Sequence, residues 1–270
     1  MQHPSQLVAG VAIAGIACQL EYQDDAFSSL LAARYADFAS DASPRFSLRV
    51  EVVAPPPDDV TAGWQGPFAR IDGRAGELTI EGPGFQGAFD ERTGRGWIAQ
   101  PSDPAPLEAF LSAIYAGQLL RTGGFLLHAA ALAAPEGARV FFGPSESGKT
   151  TVSTLIGEGV ISDEIAAIRR VEGAWRVSSV PWRGSRLEGD LAGLFRLRKA
   201  QAPSFTRLSP VAAVRQLLTC VFFSRADGPE VTRFLAIAGE LVRSVPCYDM
   251  HFTRDRSFWG VCPTRERGGA

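Results

Sequence analysis

The chain has 270 residues, of which 46% are hydrophobic and 21% charged, with a net charge of −2 and an isoelectric point near 6.0. This composition is typical of a globular protein with one large or two small domains. The near-zero charge indicates neither a nucleic-acid surface nor a membrane surface, so we expect neither partner. The cysteines are scattered without a CxxC pair, which favours reduced core thiols over a metal site.

Residues 1–106 predict a β-rich part with one helix. The apolar run 7–20 is too short to span a bilayer and follows no Lys or Arg, so we interpret it as a buried strand and expect a cytoplasmic protein. Helical spacing predicts one amphipathic helix with Asp24 or Asp25 near its N-cap, and its apolar stripe comprises Phe27, Leu30, Leu31, Tyr35 and Phe38. Further strands are predicted at 46–53, 68–71, 77–81, 85–90 and 96–100, the last four as an antiparallel meander.

Residues 107–270 predict a core of alternating strands and helices, which we expect to form one compact unit with the first part. A helix follows Asp103-Pro104, and Glu172-Gly173 marks the tip of a hairpin over 169–180. Other strands are predicted at 125–132, 138–142, 160–162, 194–197 and 248–252, with 258–261 as a further partner. Helices are predicted at 210–219 and 229–243.

Residues 143–151 read GPSESGKTT and fit the phosphate-binding pattern G-x-x-x-x-G-K-[ST]. A short apolar strand precedes the motif and a helix follows it, so backbone N–H groups and the helix N-terminus are available to an anion. Lys149 reaches the β- and γ-phosphates, and the Thr150 hydroxyl holds Mg²⁺. The predicted ATP-binding residues are Gly143, Ser145, Glu146, Ser147, Gly148, Lys149, Thr150 and Thr151.

An acidic pair, Asp163 and Glu164, follows Lys149 after one short predicted helix and one short predicted strand. That spacing brings the two carboxylates beside the phosphates. The other interpretation is a surface acidic pair at the end of a strand.

Three stretches together carry a family resemblance: Leu127-His128-Ala129, the GPSESGKTT loop, and Ser162-Asp163-Glu164. They resemble the catalytic domain of HPr kinase/phosphorylase, and in particular the short HPr-kinase-like proteins encoded beside peptide-modification genes, including those for lasso peptides. Phosphoenolpyruvate carboxykinase is a more distant relative of that fold. The resemblance covers residues 125–184.

The resemblance implies an α/β (α+β) protein with a P-loop kinase core and a mixed, largely antiparallel sheet. It implies transfer of the γ-phosphoryl group of ATP, with Mg²⁺, to a serine of an HPr-type carrier or a ribosomal precursor peptide. Asp163 would be the base, Glu164 would join Thr150 on the metal, and His128 would lie at the active site. Arg183 would stabilise charge on the transferred group.

The chain departs from the family pattern at three positions. Glu164 stands where Asp is usual, and Glu146 stands where Gly is common. Pro181 replaces a Glu that is tied to the reverse reaction, so we do not expect phosphorolysis.

Two other functions are left open by the sequence. One is a kinase of a small-molecule hydroxyl or a carboxykinase-like enzyme, for which Arg169, Arg170 and Arg186 are candidates for a second anion site. The other is a non-catalytic nucleotide-binding scaffold. His128 could equally be a core histidine and Arg183 a loop cap. The acceptor, the base preference and homo-oligomer formation also stay open.

Overall fold

The computed structural model describes residues 7–55, 69–74, 76–183 and 186–263, and leaves the side chains of Leu7, Arg74 and Arg183 undescribed. The chain divides into two compact units. The first comprises Met1–Gln118 and Phe223–Arg225, and the second comprises Leu119–Phe222 and Ala226–Ala270. No described helix is long and apolar enough to cross a membrane.

The first unit is built on a seven-stranded mixed sheet with the order β1-β2-β3-β7-β6-β5-β4. Its strands are β1 (Leu7–Ile13), β2 (Ile16–Tyr22), β3 (Phe46–Val52), β4 (Arg70–Arg74), β5 (Glu77–Gly82), β6 (Phe85–Asp90) and β7 (Arg95–Gln100). Strands β4 to β7 form the predicted antiparallel meander. Strand β3 joins β2 and β7 by parallel pairing. The predicted β-rich N-terminal part is therefore confirmed, although the parallel pairs were not predicted.

The apolar run 7–20 is a hairpin, so the prediction of a single strand was wrong. Ala14 and Gly15 both have positive φ, +46° and +72°. Two consecutive left-handed residues give the tight turn that matches the twist of antiparallel strands. The chain therefore reverses at Gly15, and Ile13 pairs with Ile16.

Two of the described α-helices accompany this sheet, α1 (Asp25–Arg34) and α2 (Pro104–Arg121), and the second continues three residues past Gln118, where this stretch of the unit ends. Asp24 caps α1 by accepting a 2.7 Å hydrogen bond from the Phe27 amide, as predicted. Phe27 and Leu31 are buried, whereas Leu30 is 44% exposed, so the predicted apolar stripe was too wide.

The second unit contains an eight-stranded mixed sheet that is largely antiparallel, as predicted. Its strands are β8 (Gly124–Leu132), β9 (Ala138–Phe142), β10 (Val160–Ser162), β11 (Ile165–Val171), β12 (Ala174–Ser178), β13 (Glu188–Lys199), β14 (Ser204–Arg207) and β15 (Cys247–Phe252). Only β13 makes parallel pairs here among the described strands, with β9 on one side and β15 on the other. Together with the first sheet, this confirms a mixed α+β fold.

Four helices belong to the second unit: α3 (Lys149–Ile156), α4 (Pro210–Leu218), α5 (Gly228–Ser244) and α6 (Ser257–Val261). Helix α3 packs its apolar side, Val152 and Ile156, into a core with Phe141 and Phe252. Helix α6 lies where the sequence predicts a strand, so that prediction was wrong.

The physical reason for α6 is visible in its burial. Phe258 and Cys262 both enter the same core while Gly260, midway between them, is exposed. A strand would place all three residues on one face, so this pattern is helical. Strand β14 was not predicted, and β13 is longer than predicted.

Candidate functional site

The predicted phosphate-binding loop connects β9, a wholly buried strand, to the first residue of α3. Gly148 caps α3 in the left-handed region, at φ +112°. A Cβ atom at Gly148 would lie 2.4 Å from Cζ of Phe252, so the position requires glycine for space as well as for conformation. Glu146 also has positive φ, +62°. The loop is therefore a tight arch whose end is packed on Phe252.

Lys149 folds back under this arch. Its side chain is only 6% exposed, and Nζ donates hydrogen bonds of 3.0 Å to the carbonyl oxygens of Gly143 and Pro144. Burial lowers the pKa of the Lys149 ammonium, and the nearby Cys220 and Glu164 oppose that shift. The loop thus holds a largely desolvated cation, whose attraction for an incoming anion is stronger than it would be in water.

Asp163 and Glu164 form the bend between β10 and β11, two strands that pair one after the other with β8. Ser162 pairs with Ala131 and Ile165 pairs with His128, so the acidic residues lie opposite the two alanines between them. The Ala129 amide donates a 2.9 Å hydrogen bond to the Glu164 carbonyl, which anchors the bend. The pairing with β8 is therefore interrupted only at this bend, and the sheet holds the backbone on both sides of the two acidic residues.

The Asp163 carboxylate has one oxygen, Oδ1, that is buried and has no hydrogen-bond partner among the described residues. Burying such an acceptor without a donor is costly, so this oxygen would gain from a hydrogen-bond donor or a bound cation. The buried Ser147 hydroxyl in the loop is in the same situation among the described atoms.

His128 lies in the middle of β8 and is half-buried. Its amide donates a 2.8 Å hydrogen bond to the Cys220 carbonyl, and its ring is 6.3 Å from that of Phe222 in an edge-to-face contact. Because β8 runs between the loop strand β9 and the acidic bend, His128 is held between the two.

These elements enclose a cavity of about 520 Å³. Its walls are formed by His128, Ser145, Glu146, Gly148, Lys149, Thr150, Thr151, Asp163, Glu164 and Lys199. The structure thus brings together most of the predicted site. Gly143 and Ser147 do not line the cavity; Gly143 instead supplies one of the carbonyls that hold Lys149.

Arg169, Arg170 and Arg186 do not line the described part of this cavity wall. Pro181–Arg183 form a short 3₁₀ helix, but the Arg183 side chain lies outside the described residues, as does Gly184. Arg170 pairs with Glu240 at 3.7 Å. Arg169, Arg170 and Arg186 are absent from the described lining, so they form no second anion site there.

Lys199 is the cavity residue that sequence reasoning missed. It ends β13, and no motif marks it. A signal was nevertheless available, since Lys149 and Lys199 are the only two lysines among 27 lysines and arginines.

The donor set is suited to Mg²⁺ bound together with a phosphate. Among the residues the structure describes, no group of three or more His, Cys, Asp or Glu side chains could hold a metal alone. Mg²⁺ retains several waters and is commonly held by one or two carboxylates plus substrate phosphates. Thr150, Asp163 and Glu164 border one cavity, so their oxygen donors fit such an ion.

The four cysteines do not line this cavity. Cys18, Cys220, Cys247 and Cys262 are all buried and unpaired by disulfides. Burial raises the pKa of the Cys247 thiol to about 12. It follows that this thiol is protonated and unreactive at neutral pH.

No model of a known protein family matches the chain, and a search of curated proteins also finds no match.

Proposed function

We propose that the protein is an ATP-dependent kinase that transfers the γ-phosphoryl group to a serine hydroxyl of a protein or peptide. The observation that carries the proposal is one cavity bordered by a glycine-bounded loop, the buried cation Lys149 and Asp163, one of whose carboxylate oxygens is buried without a partner among the described residues. A phosphate cradle, a cation and a base are the parts that phosphoryl transfer requires. The P-loop kinase core suggested by the family resemblance is part of this proposal.

The loop and Lys149 would bind the nucleotide. Lys149 donates to two loop carbonyls in the free protein, and a triphosphate offers it charged oxygens instead. Hydrogen bonds between charged partners are roughly twice as strong as neutral ones. Backbone amides of the loop and of the first turn of α3 would hold the remaining phosphate oxygens.

Mg²⁺ bound by Thr150 and Glu164 would neutralise charge on the phosphates when present. Asp163 would accept the proton of the serine hydroxyl. The serine Oγ forms a bond to the γ-phosphorus, the bond between that phosphorus and the leaving ADP oxygen breaks, and the proton passes to Asp163. His128, at the same wall, and Arg183 would stabilise the transferring charge.

A polypeptide acceptor is favoured over a small hydroxyl metabolite by the cavity wall. Its described residues contain no arginine cluster of the kind that would hold the phosphate or carboxylate of a small substrate. The family resemblance also points to serine in a polypeptide. A non-catalytic scaffold would leave the buried Asp163 oxygen without a role.

The test is incubation of the purified protein with MgATP and a panel comprising an HPr-type carrier, a lasso-type precursor peptide and simple hydroxyl metabolites. We expect mass spectrometry to find phosphate on a serine of a polypeptide, and none when Lys149→Ala replaces the wild-type protein. Phosphate on a metabolite alone would overturn the polypeptide assignment. Nucleotide binding without transfer to any member would favour the scaffold.

A further inference from the structure

The chain uses lysine at only two positions, and both border one cavity. Lys149 and Lys199 are the two lysines among 27 lysines and arginines, while ten residues of the described chain line the cavity. A lysine ammonium is a compact charge with three rotatable donors, and it binds phosphate as a point charge. Both positions at which the chain has lysine rather than arginine therefore border the same cavity, and Lys199 is the one outside the motif.

Strand alternation explains why Lys199 faces the loop. Leu197 and Lys199 are two residues apart on β13 and therefore point to the same face of the sheet, where Leu197 packs in the core beneath α3. Arg196 and Arg198 point to the opposite face, where both pair with Asp249, at 3.5 and 2.8 Å. Both arginines are thus paired with the one carboxylate of Asp249, whereas Lys199 is exposed and has no ion pair with a described residue.

Lys199 lies beside the end of the loop. It is in register with Phe252 of β15, the residue whose ring packs against Gly148 at the start of α3. Lys149 instead directs Nζ to the carbonyls of Gly143 and Pro144, at the beginning of the loop. The two lysines therefore flank opposite ends of the phosphate-binding loop.

The charges of the wall also call for a second cation. Glu146, Asp163 and Glu164 border the cavity, and a polyphosphate would bring further negative charge to them. Like charges in one confined site repel each other, so a second fixed cation lowers the cost of anion binding.

We propose that Lys199 is a second nucleotide-binding residue, which contacts oxygens of the α- and β-phosphates while Lys149 serves the β- and γ-phosphates. In phosphate loops the backbone at the start of the helix cradles the α- and β-phosphates, and this is the end beside which Lys199 lies. The inference rests on the proposed nucleotide site, and it assigns Lys199 to binding rather than to the chemical step.

The experiment is isothermal titration of ADP and ATP, each with Mg²⁺, into the wild-type protein and four variants. Lys199→Ala should weaken both nucleotides by the same factor, about ten-fold, the size of one charge-assisted contact. Lys149→Ala should weaken ATP more than ADP, and Lys199→Arg should retain most of the affinity. Arg198→Ala is the matched control, because it removes one positive charge from the neighbouring residue on the opposite face, and it should leave both affinities unchanged.

Three results would overturn the inference. Wild-type affinity for both nucleotides in Lys199→Ala, with weakened binding in Lys149→Ala, would reject the role of Lys199 and leave the nucleotide site intact. An equal loss of nucleotide affinity in Arg198→Ala would show that the loss comes from the change in net charge and not from a contact made by Lys199. Absence of nucleotide binding by the wild-type protein would reject the site itself. A thermal unfolding midpoint for each variant identifies any loss caused by misfolding.

Discussion

The two units contain concave surfaces of similar size but of opposite chemical character. In the first unit a depression of about 600 Å³ lies over strands β2, β3 and β7, and it is larger than the cavity of about 520 Å³ in the second. Several of its polar groups already have partners: Gln19 donates to Glu21, Arg45 donates to Gln118 and Arg49 pairs with Glu51. The smaller cavity instead holds a buried lysine and an acceptor without a donor.

Whether its polar groups already have partners therefore identifies a binding site better than the volume of the depression does. Paired charges on the outer face of a sheet are already compensated, so a ligand would have to break those pairs. An unpartnered buried oxygen and a desolvated ammonium gain on binding. We therefore place the function in the second unit, and the following three experiments test that choice in order of expected effect.

The largest effect should come from Asp163→Asn, which keeps the shape of the side chain but cannot accept a proton. We expect turnover with the phosphorylated polypeptide to fall by about a thousand-fold, within the usual range for loss of a general base, while MgATP affinity changes little. Steady-state kinetics and calorimetry measure the two quantities.

The control for that experiment is Glu164→Gln. Its main effect should be a higher Mg²⁺ concentration for half-maximal rate, since we assign Glu164 to the metal. If both variants turn over at the wild-type rate, the separate roles of the two carboxylates are wrong.

An intermediate effect is expected when one cation is removed from each unit in turn. Lys149→Ala should lower ATP affinity by about a hundred-fold, because a buried charge-assisted contact is lost. Arg49→Ala, in the larger depression of the first unit, should leave ATP affinity unchanged because its guanidinium already pairs with Glu51. Calorimetric titration measures the ATP affinity of both variants. A loss of affinity in Arg49→Ala alone would place the nucleotide site in the first unit.

The smallest effect concerns stability. Burial lowers the pKa of Lys149 in the folded protein, so the protonated side chain opposes folding at every pH below that lowered pKa. This cost disappears as the pH rises towards about 10.4, the ordinary pKa of an unfolded lysine. Lys149→Met should therefore raise the free energy of unfolding by about 1 kcal/mol at pH 7, and by less near pH 10.4.

Denaturant unfolding of the ligand-free protein at both pH values measures this difference. Lys199→Met provides the matched control, because it removes an exposed lysine from the same cavity wall. A destabilised Lys149→Met, or a gain that does not depend on pH, would contradict the account of Lys149 as a costly buried charge.

Local sequence patterns determined several elements in both units. A run of apolar residues before GPSESGKTT was sufficient to predict β9 and α3, because the glycines limit where each element can end. Asp24 and Ser209 predicted the starts of α1 and α4, since a capping side chain acts on amides only two or three residues away. Of the motif residues named in the sequence, Ser145, Glu146, Gly148, Lys149, Thr150 and Thr151 line the cavity, whereas Gly143 and Ser147 do not.

Only the tertiary structure decided the pairings and the remote members of the site. The parallel pairing of β3 with β7 joins residues far apart in the chain, and local propensity carries no information about such partners. Helix α6 replaced a predicted strand because Phe258 and Cys262 enter one core while Gly260 between them is exposed, a pattern that a strand cannot give. Lys199 reaches the cavity because β13 lies beside the loop strand β9, a neighbour that no spacing between motifs could reveal.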